Sequence, residues 1–195
     1  MAMNFNEFQW INESSVKTEG EKLAIYATPK GDYFCPGGDA SLSVSTAPFY
    51  YKEMTGDFVI KAKVSFEFIS TYDSACLMVL VDKDNWAKTC LELTAFGTHA
   101  IVCVVTKNGE SDDANGCNVE NDAMWLQMAR VGNTFAFHYS FDGETYYLSR
   151  CFYYAMPETV KVGLLAQSPT GEGGDRYFEE VSLEAKTLQD ARAGV

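Results

Sequence analysis

Apolar and polar residues alternate with a period of two along much of this chain. The clearest run follows Gly56-Asp57: Phe58, Ile60, Ala62, Val64, Phe66 and Phe68 fall on one side, and Lys61, Lys63, Ser65 and Glu67 on the other. Such alternation marks a strand with one packed and one solvated face. Phe135, Phe137, Tyr139 and Phe141 alternate in the same way with Thr134, Ala136, His138 and Ser140. This second run sits between the turns Val131-Gly132-Asn133 and Asp142-Gly143, whose glycines supply the positive φ a tight hairpin needs. The stretch from Trp125 to Arg150 therefore predicts a three-stranded meander. Its aromatic face needs further sheet to cover it.

The remaining elements follow from the same rules. Ala75 to Val81 is apolar throughout, which predicts a central strand covered on both faces. Asp82-Lys83-Asp84-Asn85 turns the chain, Trp86 to Leu93 returns antiparallel, and Ala100 to Thr106 forms a third strand after the turn at 95–98. An edge strand is expected over Phe5 to Trp10, a strand over Leu23 to Ala27, a buried strand over Val160 to Ala166 and a closing strand over Arg176 to Leu183. Phe34 to Asp39 reads as an irregular loop, and Pro48 keeps the 43–51 segment off a central strand position. The polar run Lys107 to Asn121 reads as a loop with room for a short strand, and Glu184 to Ala193 as a helical turn or frayed tail. No internal repeat or linker interrupts the pattern, so residues 1–195 are expected to form one domain with a tail from about residue 185.

Composition narrows the function classes more than it names one. The chain is 47% hydrophobic and 14% aromatic, enough for a substantial core. Its net charge of −12 repels nucleic acid and anionic membranes, and neither is expected as a partner. Met1 to Phe8 lacks the basic and apolar regions of a secretory signal, and Ala75 to Val81 is too short to span a bilayer. The six cysteines, at 35, 76, 90, 103, 117 and 151, form no CxxC pair and read as free thiols in a reducing cytoplasm.

Four stretches carry a family resemblance: Tyr72-Asp-Ser-Ala-Cys-Leu-Met-Val79, Asn85-Trp-Ala-Lys-Thr-Cys-Leu-Glu92, Val104-Val-Thr106, and Arg130-Val-Gly through Tyr139-Ser-Phe-Asp-Gly143 to Arg150. Gly163-Leu-Leu-Ala-Gln-Ser-Pro169 follows them in order. Together they resemble the domain-of-unknown-function 1349 family, grouped with regulation-of-enolase proteins, over roughly residues 5 to 185. The resemblance implies an all-β fold, a two-sheet antiparallel jelly-roll sandwich of the concanavalin A-like lectin/glucanase type. It implies little about activity, because that fold hosts both lectins and glycosidases. Where relatives tend to carry Gly in the first two motifs, this chain has Cys76 and Cys90, which puts an inherited ligand contact there in doubt.

Strand parity then selects candidate residues. Trp86, Lys88, Cys90 and Glu92 share one face of their strand, while Ala87, Leu91 and Leu93 take the other. In the implied jelly-roll the first face lines a concave groove. Tyr72, His138 and Arg150 are placed with it, giving a candidate ligand site of Tyr72, Trp86, Lys88, Glu92, His138 and Arg150. A Trp ring beside charged groups suits a saccharide, the ring stacking on the sugar and the charges binding hydroxyls. Lys88, Glu92 and Arg150 also suit a buried ion network that merely bridges sheet and loop.

Catalytic, metal and cofactor signatures are not found in the sequence. The Glu-x-Asp-x-x-Glu run of laminarinase-type enzymes is missing, as are a Gly-x-Ser-x-Gly elbow, a phosphate loop and a dinucleotide fingerprint. No cofactor, metal site or oligomeric state is expected from it. The favoured reading is a non-catalytic carbohydrate-binding or sugar-metabolism regulatory domain. The alternatives are a glycoside hydrolase using Glu92 with Asp73, and a protein-interaction module without a small ligand. Turn lengths also place Cys76 opposite Cys90 and Cys90 opposite Cys103, a row of three that would serve either as packing or as a soft-metal or redox site near His138.

Overall fold

Period-two patterning and glycine turns build two seven-stranded antiparallel sheets stacked face to face. The structure is a computed structural model and describes residues 3–195. The first eight strands in chain order are β1 (Gln9–Ile11), β2 (Val16–Glu19), β3 (Lys22–Ala27), β4 (Tyr33–Phe34), β5 (Val44–Ser45), β6 (Phe49–Thr55), β7 (Phe58–Phe66) and β8 (Ser74–Asp82). The rest are β9 (Asn85–Leu93), β10 (His99–Lys107), β11 (Glu110–Val119), β12 (Ala123–Val131), β13 (Thr134–Ser140), β14 (Tyr147–Tyr153), β15 (Thr159–Gln167) and β16 (Gly174–Glu184). The first sheet runs β1-β6-β15-β8-β9-β10-β11 and the second β14-β13-β12-β7-β16-β3-β2, with β4 and β5 pairing separately. Among the described residues no helix is long and apolar enough to cross a membrane.

The expected alternation decides which side chains meet. Phe58, Ile60, Ala62 and Val64 of β7 pack between the sheets against Leu77, Val79, Leu91 and Phe137. The opposite parity of β8 and β9 builds a second cluster on the outer face of the first sheet: Cys76, Met78, Leu80, Trp86 and Cys90. The crossover between β3 and β6 lies over it and contributes Tyr33, Cys35 and Ala47. The first sheet is thus covered on both faces, as the apolar run in β8 requires. Gly163 shows how closely its strands approach. A Cβ there would lie 2.1 Å from the Tyr50 carbonyl oxygen, so β15 admits no side chain at that point.

Four expectations are corrected. Phe5 to Trp10 is not one strand: a 3₁₀ turn over Phe5–Glu7, capped by the Asn4 side chain on the Asn6 N–H, precedes β1. The polar run after Lys107 is a ten-residue edge strand, β11, joined to β10 through Asn108 and Gly109 at φ 52° and 77°. A sheet edge facing water tolerates this polarity and is protected by it, so composition alone reads as loop. The tail is docked, with Leu188 buried against Val59 and Ala129. The aromatic face of the meander ends early, since Phe137 is buried while Phe141 is exposed.

Candidate functional site

β9 brings Trp86, Lys88, Cys90 and Glu92 to the outer face of the first sheet, and the β3–β6 crossover splits that face in two. At one end Trp86 has no exposed surface. Tyr33 packs edge-on against it at 5.9 Å, and its Nε1 donates to the Lys83 carbonyl at 3.1 Å. This ring cannot stack on a sugar. At the other end the crossover leaves a cavity of about 220 Å³, bounded by Lys88 and Glu92 below, Asp32 and Phe34 on the crossover, and Gln167 and Pro169 at the end of β15. Tyr72 and the Asp113 side of β11 complete it.

Inside the cavity the polar groups divide into a fixed set and a free one. Lys88 Nζ, almost fully buried, donates to the Tyr33 carbonyl at 2.8 Å and to Gln167 Oε1 at 2.7 Å. The Gln167 amide in turn donates to Asp32 Oδ1 at 2.5 Å, and the Tyr33 N–H reaches the same oxygen at 2.7 Å. This chain fixes the amide orientation of Gln167, since Oε1 must accept and Nε2 must donate. Burial opposes the Lys88 charge, but Cys90, Asp32, Cys76 and Glu92 around it prevail and its pKa is raised. Burial also raises Asp32, against the opposing pull of Lys88.

Glu92 is the free group. The residue is only 8% exposed, but its carboxyl oxygens keep access to the cavity, and among the described residues none donates a hydrogen bond to them and no ion pair holds them. Burial pushes its pKa up to about 8, with Lys88 pulling only partly the other way. At neutral pH it is therefore largely protonated, able both to donate and to accept. Among the described residues the one enclosed side-chain atom left without a partner is Gln127 Oε1, beneath the docked tail, so the Glu92 oxygens differ in facing open space.

The other sequence candidates lie apart. Tyr72 stands at the cavity mouth, 42% exposed, with its backbone at φ 70° and its N–H bonded to the Leu93 carbonyl at 2.6 Å. His138 is fully buried on the outer face of the second sheet, so both sheets separate it from Glu92. There its Nε2 meets the Arg192 carbonyl at 3.2 Å beneath the docked tail, and burial lowers its pKa. Arg150 closes the gap between β14 and the first sheet, donating to Asp112 Oδ2 at 2.7 Å and to the Cys103 carbonyl at 3.4 Å. Tyr72, Lys88 and Glu92 thus converge on one cavity, whereas Trp86, His138 and Arg150 are held by the fold.

Asp73, the partner considered for hydrolysis, is saturated. Its carboxylate pairs with Arg176 at 3.1 Å and accepts from Ser168 Oγ at 2.7 Å and the Ser70 N–H at 3.0 Å, fully enclosed. Ser74, not Asp73, lies across from Glu92. The row of three thiols also fails. Cys76 does face Cys90, but Cys90 pairs with Val102 and Cys103 with Thr89. The one-residue difference in register turns Cys103 into the inter-sheet core. Among the described residues no group of three His, Cys, Asp or Glu is arranged to hold a metal ion.

Parity along β9 located Lys88 and Glu92, but Asp32, Phe34, Asp113 and Gln167 were missed. Asp32 and Phe34 come from irregular chain that carries no periodicity, and Asp113 from the polar run read as loop. Gln167 carries two signals: it is the polar residue that ends the buried apolar run 162–166, and it lies in the 163–169 motif.

Comparison with known proteins agrees with this architecture. The chain is 27% identical over 188 residues to "Regulation of enolase protein 1" of Saccharomyces cerevisiae, covering 93% of this chain and 92% of that one. It superposes with a TM-score of 0.86 and 25% identity on a functionally unknown protein from Saccharomyces cerevisiae, covering 95% of this chain and all of that one. The carbohydrate-binding module CBM66 from Bacillus subtilis matches with a TM-score of 0.59 at 12% identity, over 93% of this chain and 98% of the module, which is a likeness of fold. The family model described as "Protein of unknown function (DUF1349)" matches residues 10–186, and the chain belongs to that family.

Proposed function

We propose that the cavity over Lys88 and Glu92 binds a small saccharide, and that the protein is a sugar-binding or sugar-responsive domain rather than a hydrolase. The observation that carries this reading is the Glu92 carboxyl: set deep, without a partner among the described residues, and open to a space beside the fixed Lys88–Gln167–Asp32 chain. A hydroxyl both donates and accepts, which matches a protonated carboxyl and the acceptors of Asp32 and Asp113. Tyr72 and Phe34 offer apolar surface at the mouth for the carbon face of a sugar ring, the role first assigned to Trp86. The volume of about 220 Å³ suits one sugar unit, being below the range of drug-sized sites. The likeness of fold to a carbohydrate-binding module supports the same reading. A hydrolytic pair would need Glu92 and Asp73 across one groove, and Asp73 is bound to Arg176.

Titration calorimetry against a panel of monosaccharides and short oligosaccharides tests this. At least one should bind without release of free sugar. Glu92→Leu, close in volume, should weaken that binding by about tenfold or more through the lost hydrogen bonds while the protein stays folded. Binding undiminished in Glu92→Leu would remove the cavity from consideration.

A further inference from the structure

Charge within the cavity goes beyond the saccharide reading, on which this inference rests, to the class of sugar. We infer that the site takes a neutral or amine-bearing sugar and rejects the phosphorylated form of the same sugar.

The balance of charge is read from the groups that face the space. Asp32 enters from the crossover, Asp113 from β11, and Lys88 and Glu92 from β9. Lys88 is the sole cation lining the cavity among the described residues. Two of its three N–H bonds are already given to Tyr33 and Gln167, and the second continues to Asp32. Nearby charges cancel in pairs: Arg150 is bound to Asp112, and Arg176 to Asp73. The thiols of Cys76 and Cys90 lie enclosed beside Lys88 and are not cavity-lining. What remains is two carboxylates and a buried carboxyl against one committed ammonium.

Phosphate sites are built otherwise. They use arginine forks, helix N-termini or nests of free backbone N–H groups. No arginine or helix borders this cavity, and the Tyr33 N–H at its edge is taken by Asp32. A phosphate dianion would lose hydration and meet Asp32 and Asp113, with no free donor set to replace its water. An ammonium in place of one hydroxyl would meet the same carboxylates favourably, and the chain's net charge of −12 adds to the preference at longer range.

Calorimetry with matched probes decides the matter: glucose, glucosamine and glucose 6-phosphate, then the corresponding mannose and galactose sets, at constant ionic strength. In any set that binds, the phosphate should be weaker than the free sugar by about 100-fold, the scale of a like-charge contact, and the amino sugar equal or tighter. Asp113→Lys, at an exposed position on an edge strand, should recover at least about tenfold of the phosphate's loss. A phosphate that binds as well as its parent sugar, or a penalty unmoved by Asp113→Lys, overturns charge selection while leaving a sugar site in place. Silence from all free and amino sugars overturns the saccharide reading itself.

Discussion

Asp73 and Glu92 sit at the same end of adjacent strands, both largely buried, yet their surroundings are opposite. Arg176, Ser168 and the Ser70 N–H occupy the Asp73 carboxylate, while the Glu92 carboxyl has no donor from the described chain. A buried carboxylate with a full set of partners is structural, and its removal leaves Arg176 charged in a dry interior. A buried carboxyl without partners holds nothing together and costs stability whenever it ionises. Burial alone therefore does not identify a site; unused hydrogen-bonding positions that open onto a cavity do.

The largest effect expected from this contrast is on stability. Asp73→Ala should cost about 3–5 kcal/mol, because Arg176 would keep only the Gln167 and Asp175 carbonyls as partners and no counter-charge. Glu92→Gln, an equally buried change one strand away, should cause no loss at neutral pH and leave the variant the more stable of the two, since only the parent must hold a proton there to stay folded. Urea denaturation of the two variants checks both. Equal losses would mean that Glu92 is as structural as Asp73.

A sharper test is the pH dependence. Glu92 titrates near the ordinary carboxyl value of 4.5 when unfolded and at about 8 when folded. Between those values the native state holds the extra proton, so stability falls as pH rises through the window and levels off above it. The slope from this group is at most about 1.4 kcal/mol per pH unit. Asp32, raised by burial, adds to the same fall at the acidic end. His138 works against both: its pKa is lowered in the fold, so its contribution is present above its ordinary value and lost as pH drops. The difference between the parent and Glu92→Gln isolates the carboxyl. It should favour the variant increasingly from pH 5 to 8, and a flat difference would mean that Glu92 is hydrated and ionised throughout.

Sequence periodicity reaches some of this contrast and not the rest. Alternation on β7, β9 and β13 correctly separated the core side from the other side, because a period of two depends only on the local chain. It placed Lys88 and Glu92 together for the same reason. It could not tell that Trp86 is enclosed, since the cover comes from the crossover carrying Tyr33, which has no pattern of its own. His138 failed differently. Its parity was right, but "opposite the core" means the outer face of the second sheet, while Glu92 faces out from the first. Parity orders residues within a sheet and is silent between two sheets. Cys103 failed through a register displaced by one residue in the 94–98 turn, which inverts every side chain beyond it.

Tyr72 gives the smallest expected effect. A bulky aromatic residue at φ 70° is an unfavoured backbone state, costing on the order of 1 kcal/mol. The Asp73 side of that bend is fixed by the Ser70 turn and the Leu93 contact, so the backbone would keep its shape with glycine in place. Nothing in the core depends on the ring, which is 42% exposed. Tyr72→Gly should therefore leave stability unchanged or raise it by up to about 1 kcal/mol. If the ring is retained as the wall of a sugar site, the same variant should bind its sugar more weakly, by about fivefold for one lost stacking contact. Thermal melts and calorimetry on this one protein read both quantities. A stabilised variant with undiminished binding would leave the strained tyrosine unexplained and return the stacking role to Phe34 alone.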